Sequence, residues 1–336
     1  MKAIVLYDKG GKYGFEPNWS EPKLQPGHVI LKVEYCGVCG SDIPRFAYAG
    51  SYHHPMILGH EFAGEIYKVN KDSAFETGAK ASVLPIIPCG HCEGCKTGEP
   101  FSCKQYQFLG SRNDGGFAEY CLVPESNLFL LPEGVSTLQG SLIEPMLVGL
   151  NTVRKSGFTP GSEAIVYGAG PIGLMTACWL RVFGATRIVI SDLRKFSLNM
   201  AKSLGFDELY DPLSDDEPEG GFDYAFEAAG SAKTITSSIH MLRPHGTLTV
   251  VGRDTHDTVI PVVDFEQLMR KGITLKGCWG YNDNGEHKLL AKVLSEHLIP
   301  LDKFVTQTVF PDQAPEMIAK MINKSIDYCK VTVNFK

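Results

Sequence analysis

The sequence has no apolar run long enough to cross a membrane. The apolar start of "MKAIVLYDKGGKYG" is too short for a signal peptide as well. There is no basic surplus: 32 Lys and Arg stand against 38 Asp and Glu, a net charge of −6, which speaks against a nucleic-acid surface. There is no low-complexity tract, no internal repeat and no long linker. These absences leave a globular chain, expected in the cytoplasm, with neither nucleic acid nor membrane as a partner. At 336 residues it is too long for one ordinary core, so two domains are expected to meet across a cleft.

What is present begins with cysteine. Four of the ten lie in "CGHCEGCKTGEPFSC", at Cys89, Cys92, Cys95 and Cys103. In a compartment that keeps thiols reduced, clustered cysteines point to a metal rather than to disulfides. The pattern C-x2-C-x2-C-x7-C suits soft, tetrahedral zinc; three close cysteines also suit an iron–sulfur cluster, and spacing alone leaves that open. Gly90, Gly94 and Gly98 let the chain curl around an ion. Four thiolates would leave zinc no open position, so such a site is structural.

The chain changes character near Glu144. Before it, short β-branched and aromatic runs such as "KAIVLY", "HVILKVEY", "FAGEIYKV" and "GFAEYCLV" predict a β domain with the cysteine loop as an excursion. From "SLIEPMLVGLNTVRKSG" onward, helices and strands alternate, the pattern of βαβ units in a parallel sheet. "KTITSSIHMLRPHG" is expected as a helix, "ITLKGCWGY" as a strand near the sheet edge, and "YCKVTVNF" as a last strand returning to the β domain.

"IVYGAGPIG" places Gly168, Gly170 and Gly173 as G-x-G-x-x-G between a predicted strand and a predicted helix. The first glycine makes the turn, the second admits a pyrophosphate, and the third lets helix and strand close up. Pro171 at the helix start costs no hydrogen bond, and free N–H groups there, as at Ile172, would hold phosphate. Asp192 ends the next strand, where a carboxylate accepts from ribose hydroxyls and repels a 2′-phosphate, so NAD is expected over NADP. The alternative role for Asp192 is a cap on the following helix.

"YCGVCGSD", "LGHEFAG" and "LIEPML" carry Cys36, Cys39, His60, Glu61 and Glu144. Each is weak alone. Together with the cysteine lobe, "GGFAEY" and "GAGPIG", in this order and spacing, the chain resembles the zinc-dependent medium-chain dehydrogenases, in particular their polyol, sorbitol-type branch. The resemblance implies an α/β protein. A GroES-like β domain would cover 1–150, completed by 286–336 and carrying the structural zinc lobe at 89–103. A Rossmann domain with a doubly wound parallel sheet would cover 151–285 and bind NAD.

The resemblance also implies two zinc ions per chain. Cys39, His60 and Glu144 would hold the catalytic one, with an open fourth position. Glu61 would lie beside it or exchange with water on the metal, and Cys36 would be structural. A hydroxyl bound there would give up its proton and its carbon would pass hydride to the nicotinamide. Ser41 would relay that proton. The family's next relay residue is commonly histidine, but Pro44 stands there in "SDIPR".

Within the branch, "GSDIPRFAYAGSYHHPMILGHEF", "FLGSRNDGGFAEY" and "IEPMLVGL" resemble the galactitol-1-phosphate 5-dehydrogenases. That implies oxidation of galactitol 1-phosphate to tagatose 6-phosphate. Arg45 and Arg112 are the candidate phosphate partners, since an arginine fork matches phosphate. The alternatives are that Arg45 pairs with a carboxylate and Arg112 braces the cysteine lobe. Free sorbitol, xylitol or galactitol is the other substrate class; a threonine-type dehydrogenase is a rival within the superfamily. A zinc-stabilised binding protein without activity is disfavoured by the intact Cys39, His60 and Glu144. A homodimer or homotetramer is expected, with the edge strand pairing to its copy.

Overall fold

The computed structural model describes residues 1–253, 256–282 and 286–336. The chain divides into two compact units. The first comprises Met1–Glu144, Asn282–His297 and Val305–Lys336; the second comprises Pro145–Tyr281 and Leu298–Phe304. The change-over thus falls at Glu144/Pro145 rather than at 150/151. The returning segment is interrupted at 298–304, and the expected boundary at residue 285 lies outside the described residues. The reason is local. Helix Ile143–Ser156 begins in the first unit, but its body is tied into the second, where the Trp179 indole donates to the Met146 carbonyl at 2.8 Å.

The first unit is built on a seven-stranded sheet. Its longest strand, His28–Val38, pairs antiparallel with Glu61–Lys68, Tyr120–Pro124 and Lys330–Asn334. Val29, Leu31 and Val33 lie buried on one side of it, as period-two alternation requires. They join a core with Ile4, Phe46, Phe62, Phe117 and Ile318. The C-terminal strand therefore brings residues near 330 beside residues near 38 and 61. Helix Ala314–Ile322 also belongs here, and it buries Ala314, Ile318 and Met321.

The second unit holds a six-stranded, all-parallel sheet. In spatial order the strands are Leu209–Tyr210, Arg187–Ser191, Glu163–Tyr167, Phe222–Glu227, Leu242–Val250 and Thr274–Gly277. Numbered along the chain this is 3-2-1-4-5-6, the doubly wound order that binds dinucleotides at its switch point. Glu163–Tyr167 is almost wholly buried, as a central parallel strand must be. The expected helix over "KTITSSIHMLRPHG" stops at Met241, and Leu242 onward is strand. Pro244 keeps the helix from running on, since Arg243 before it is driven out of helical backbone. Among the described residues no helix is long and apolar enough to cross a membrane.

Candidate active site

The cysteine lobe is organised by its own turns. Cys89 follows strand Ile86–Ile87, Cys92 precedes the short helix Glu93–Lys96 that contains Cys95, and Cys103 follows the turn Pro100–Ser102. The four sulfurs lie within 4.8 Å of one another. Cys92 and Cys95 are 3.4 Å apart, Cys89 and Cys95 3.8 Å. Zinc–sulfur bonds of about 2.3 Å in a tetrahedron hold sulfurs about 3.8 Å apart. The set fits one tetrahedral ion and is too tight for a multi-iron cluster. The sulfurs do not share protons evenly. The His91 backbone N–H pulls Cys89 down to about 6, while desolvation and the Cys92 thiol push Cys95 up to about 11.

The second constellation is assembled from distant segments of the first unit. Cys39 sits in the turn after strand His28–Val38, and His60 immediately precedes strand Glu61–Lys68. Donor atoms of Cys39, His60 and Glu61 lie within 4.8 Å of one another. His60 and Glu61 are buried, with 6% and 1% of their surface exposed. Glu144, in the first turn of helix Ile143–Ser156, is buried too. It lies outside that 4.8 Å set, but it is close enough to feel His60 and Glu61 electrostatically. Burial pushes its carboxyl up to about 7; His60 draws it down and Glu61 pushes it further up. Its carboxylate accepts no hydrogen bond among the described residues.

Two residues complete this cluster that the sequence pattern did not single out. Asp42, fully buried, accepts the Cys39 backbone N–H at 3.0 Å through Oδ2. Its Oδ1 stands 3.5 Å from His60 Nδ1, within ion-pair range but short of a hydrogen bond, and neither atom has another hydrogen-bond partner. Burial opposes charge on His60, but Asp42 and Cys39 outweigh it and hold the ring well above the ordinary histidine value. Lys330, also buried, donates to both Glu61 oxygens at 2.8 and 2.7 Å. Glu61 faces Gly37 across the strand pair, and a Cβ at Gly37 would meet its Oε2 at 2.5 Å. A side chain at Gly37 would push that carboxylate aside from where Lys330 holds it. Asp42 had a signal in the D of "CGSD"; Lys330 had only a lysine opening the apolar run "KVTVNF".

The donor set matches zinc: one thiolate, one imidazole and carboxylates, in a buried cluster richer in acids than in bases. Ser41 is exposed beside it and makes no capping hydrogen bond. Cys36 is wholly buried, which raises its thiol, and it packs against Gly59. Arg45 opens a π-helical turn and Arg112 lies in the loop after Phe108; both guanidiniums reach the ring of Tyr52, at 5.9 and 4.6 Å from its centroid. Arg112 also covers the Tyr106 ring at 4.0 Å and donates to the Tyr106 carbonyl at 3.0 Å.

In the second unit the glycine loop follows strand Glu163–Tyr167 and opens helix Pro171–Val182, with Gly170 as its N-cap. A Cβ at Gly173 would sit 1.8 Å from the Gly168 carbonyl, whereas a Cβ at Gly170 would meet nothing within 4 Å. The crowded glycine serves packing; the open one leaves room for a ligand. Pro171 and Ile172 form the helix's first turn. Asp192 accepts the Ala169 N–H and the Arg194 N–H, each at 2.8 Å. The cap of the next helix is Arg194, whose own side chain makes no cap bond, and Asp192 ties down that residue's N–H. Glu227, buried beside this loop, gathers the N–H groups of Ala229, Gly230 and Ser231; burial raises its carboxyl.

Known proteins share this construction. Residues 25–133 match the alcohol dehydrogenase GroES-like domain, and residues 171–296 match the zinc-binding dehydrogenase family. A protein of Emericella nidulans named "Probable D-xylulose reductase A" is 31% identical over 86% of this chain and 84% of its own length. The crystal structure of galactitol-1-phosphate dehydrogenase from Escherichia coli superposes with a TM-score of 0.92, at 28% identity, over 99% of this chain and all of that one. A Sinorhizobium meliloti chain solved bound to NADP gives a TM-score of 0.89 at 28% identity, over 99% and 98% of the two chains. With both families matched and relatives at this identity over most of their length, the chain belongs to the zinc-dependent medium-chain dehydrogenase/reductase family, in its polyol branch, and is a nicotinamide-dependent oxidoreductase of CH–OH groups.

Proposed function

We propose that the enzyme oxidises a secondary hydroxyl of a linear sugar alcohol carrying a phosphate, such as galactitol 1-phosphate, with NAD as hydride acceptor. The observation that carries the dehydrogenase chemistry is the donor set of half-buried Cys39 with buried His60 and Glu61, and Glu144 beside it. Cys39, His60 and Glu144 would hold the catalytic zinc. Glu144 is the uncommitted carboxylate, whereas Glu61 is already gripped by Lys330 and would reach the metal only in exchange. Cys89, Cys92, Cys95 and Cys103 would hold a second, structural zinc. Zinc, when bound, supplies the Lewis acidity that lowers a hydroxyl's pKa.

The chain's own residues do the rest. Asp42 orients His60 through Nδ1, as carboxylates behind metal-binding imidazoles do. Ser41, exposed and uncommitted, takes the departing proton toward water, because Pro44 offers no group to pass it on. The glycine loop, Pro171 and Ile172 seat the pyrophosphate, and Asp192, with a second lone pair on each oxygen, accepts from the ribose hydroxyls.

The name of the Escherichia coli neighbour supports the phosphorylated substrate, with the arginine pair Arg45 and Arg112 as cations for it. The D-xylulose reductase names among the relatives favour a free polyol instead, which makes that the second reading. We place the enzyme in the cytoplasm, as a homodimer or homotetramer; the exposed Leu275 in edge strand Thr274–Gly277 and Trp279 just beyond it support the oligomer. The test is cofactor reduction across a panel of polyols and their monophosphates, with NAD and NADP, on protein whose metal content has been measured. NADH formation with polyol phosphates and about two zinc ions per chain is expected. Activity confined to free polyols would overturn the phosphate reading.

A further inference from the structure

Arg45 and Arg112 are far apart in sequence, yet both guanidiniums lie within 5.9 Å of one ring centroid, that of Tyr52. Neither is in an ion pair among the described residues. Each spends one N–H on a backbone carbonyl: Arg45 Nη1 on Gly50 at 3.5 Å, Arg112 Nη1 on Tyr106 at 3.0 Å. That leaves most of the five donors of each fork uncommitted. Two obligate cations drawn to one ring repel each other, and the π face offsets only part of that repulsion. The arrangement is relieved by an anion that accepts from both forks.

The same group connects to the metal-binding cluster through packed rings. Arg112 covers Tyr106, Tyr106 meets Phe108 edge-on at 6.5 Å, and Phe108 lies 5.6 Å from the His60 ring. The loop bearing Tyr52 is itself fixed from both sides: Ser51 donates to the Ser111 carbonyl at 2.6 Å, and its N–H reaches His54 Nε2 at 3.1 Å.

Resting on the polyol-phosphate reading above, we propose that Arg45, Tyr52 and Arg112 form one phosphomonoester clamp. The two forks hold the far end of the substrate, and the Tyr52 ring keeps them in place. Tyr52 is a positioning residue here; its ring, not its hydroxyl, does the positioning. The clamp fixes which carbon of the polyol reaches His60 and Cys39, so it sets specificity rather than the intrinsic rate of hydride transfer.

The experiment compares kcat/KM for galactitol 1-phosphate and free galactitol in the wild type and in Arg45→Ala, Arg112→Ala, Tyr52→Leu and Tyr52→Phe. Wild type should prefer the phosphate. Each arginine variant should lose roughly 10- to 100-fold on the phosphate and little on the free polyol. Tyr52→Leu should lose part of the preference and Tyr52→Phe should keep it. Inorganic phosphate should compete with the substrate in the wild type and more weakly in the arginine variants. A wild-type phosphate preference untouched by the arginine variants would overturn the clamp and leave the substrate reading standing. A wild type that prefers free galactitol would overturn both. An unchanged thermal-unfolding midpoint in each variant reports that it has folded.

Discussion

The four-sulfur lobe and the cluster around His60 both gather donor atoms to within 4.8 Å, by opposite routes. The lobe draws all four donors from 15 consecutive residues, Cys89 to Cys103, and its short turns set their spacing. It carries no carboxylate among its donors and most of it is partly exposed. The His60 cluster takes residues 39, 42, 60, 61, 144 and 330 from separate elements and buries nearly all of them. Buried charge is costly unless it is paired, and there the pairing falls to Lys330 on Glu61 and Asp42 behind His60. A closed site can be built by local geometry. A site that keeps a position open for a substrate needs a desolvated, charge-compensated surround, which only a folded sheet supplies.

The comparison breaks most visibly at the lobe. Cys92→Ser should lose one metal and much stability, since structural zinc sites contribute roughly 10–16 kcal/mol of apparent binding energy that is also folding energy. Calorimetry with elemental analysis checks this; an unchanged Tm with one metal fewer would end the lobe's structural role. At the other site the effect should fall on turnover. Glu144→Gln should keep Tm and cofactor affinity but lose about 10³-fold in kcat, as expected when several kcal/mol of charge stabilisation go. If Glu144→Gln keeps its rate and Glu61→Gln loses it, the two carboxylates exchange roles.

Lys330→Met sharpens the contrast through charge. It strands a buried Glu61 carboxylate and should cost about 3–5 kcal/mol, most of it recovered by adding Glu61→Gln. Denaturant unfolding of the single and double variants gives the answer, and an equally unstable double variant would mean Lys330 acts through packing. Asp42→Asn should lower zinc affinity or activity roughly 10- to 100-fold, because His60 loses the carboxylate that orients it. Competition against a chelator reads the affinity; no change would leave Asp42 as a turn-former through Cys39. The smallest effect is expected in the second unit. Asp192→Ala should narrow the ratio of kcat/KM for NAD over NADP by a few-fold, and a wild type that favours NADP would shift recognition to Arg194.

Much of this was legible because it is local. The parallel-sheet half shows in runs such as "EAIVYGAG" and "RIVISD", whose burial leaves almost no polar interruption. The boundaries were harder: helix Ile143–Ser156 reads as one amphipathic segment, and its sequence does not say that Glu144 belongs to one unit and Pro145 to the next. The end of the helix at Met241 is not marked in the sequence, since its apolar period continues through Leu242 while Pro244 acts only on Arg243 before it.

The sequence by itself determined the cysteine lobe and the glycine loop with Asp192, where the chemistry is written in neighbouring residues and spacing along the chain is close to spacing in space. The three short motifs bearing Cys39, His60 and Glu144 are each legible alone, but their grouping into one site follows in the sequence only from the resemblance to a family. The tertiary structure alone decided that Lys330 grips Glu61, 269 residues away, and that Arg45 and Arg112 converge on Tyr52. The first depends on strand Lys330–Asn334 pairing beside Val38, the second on how two loops fold over one ring. Neither leaves a period or a spacing in the sequence, because side chains that meet through sheet register and loop packing share no local pattern.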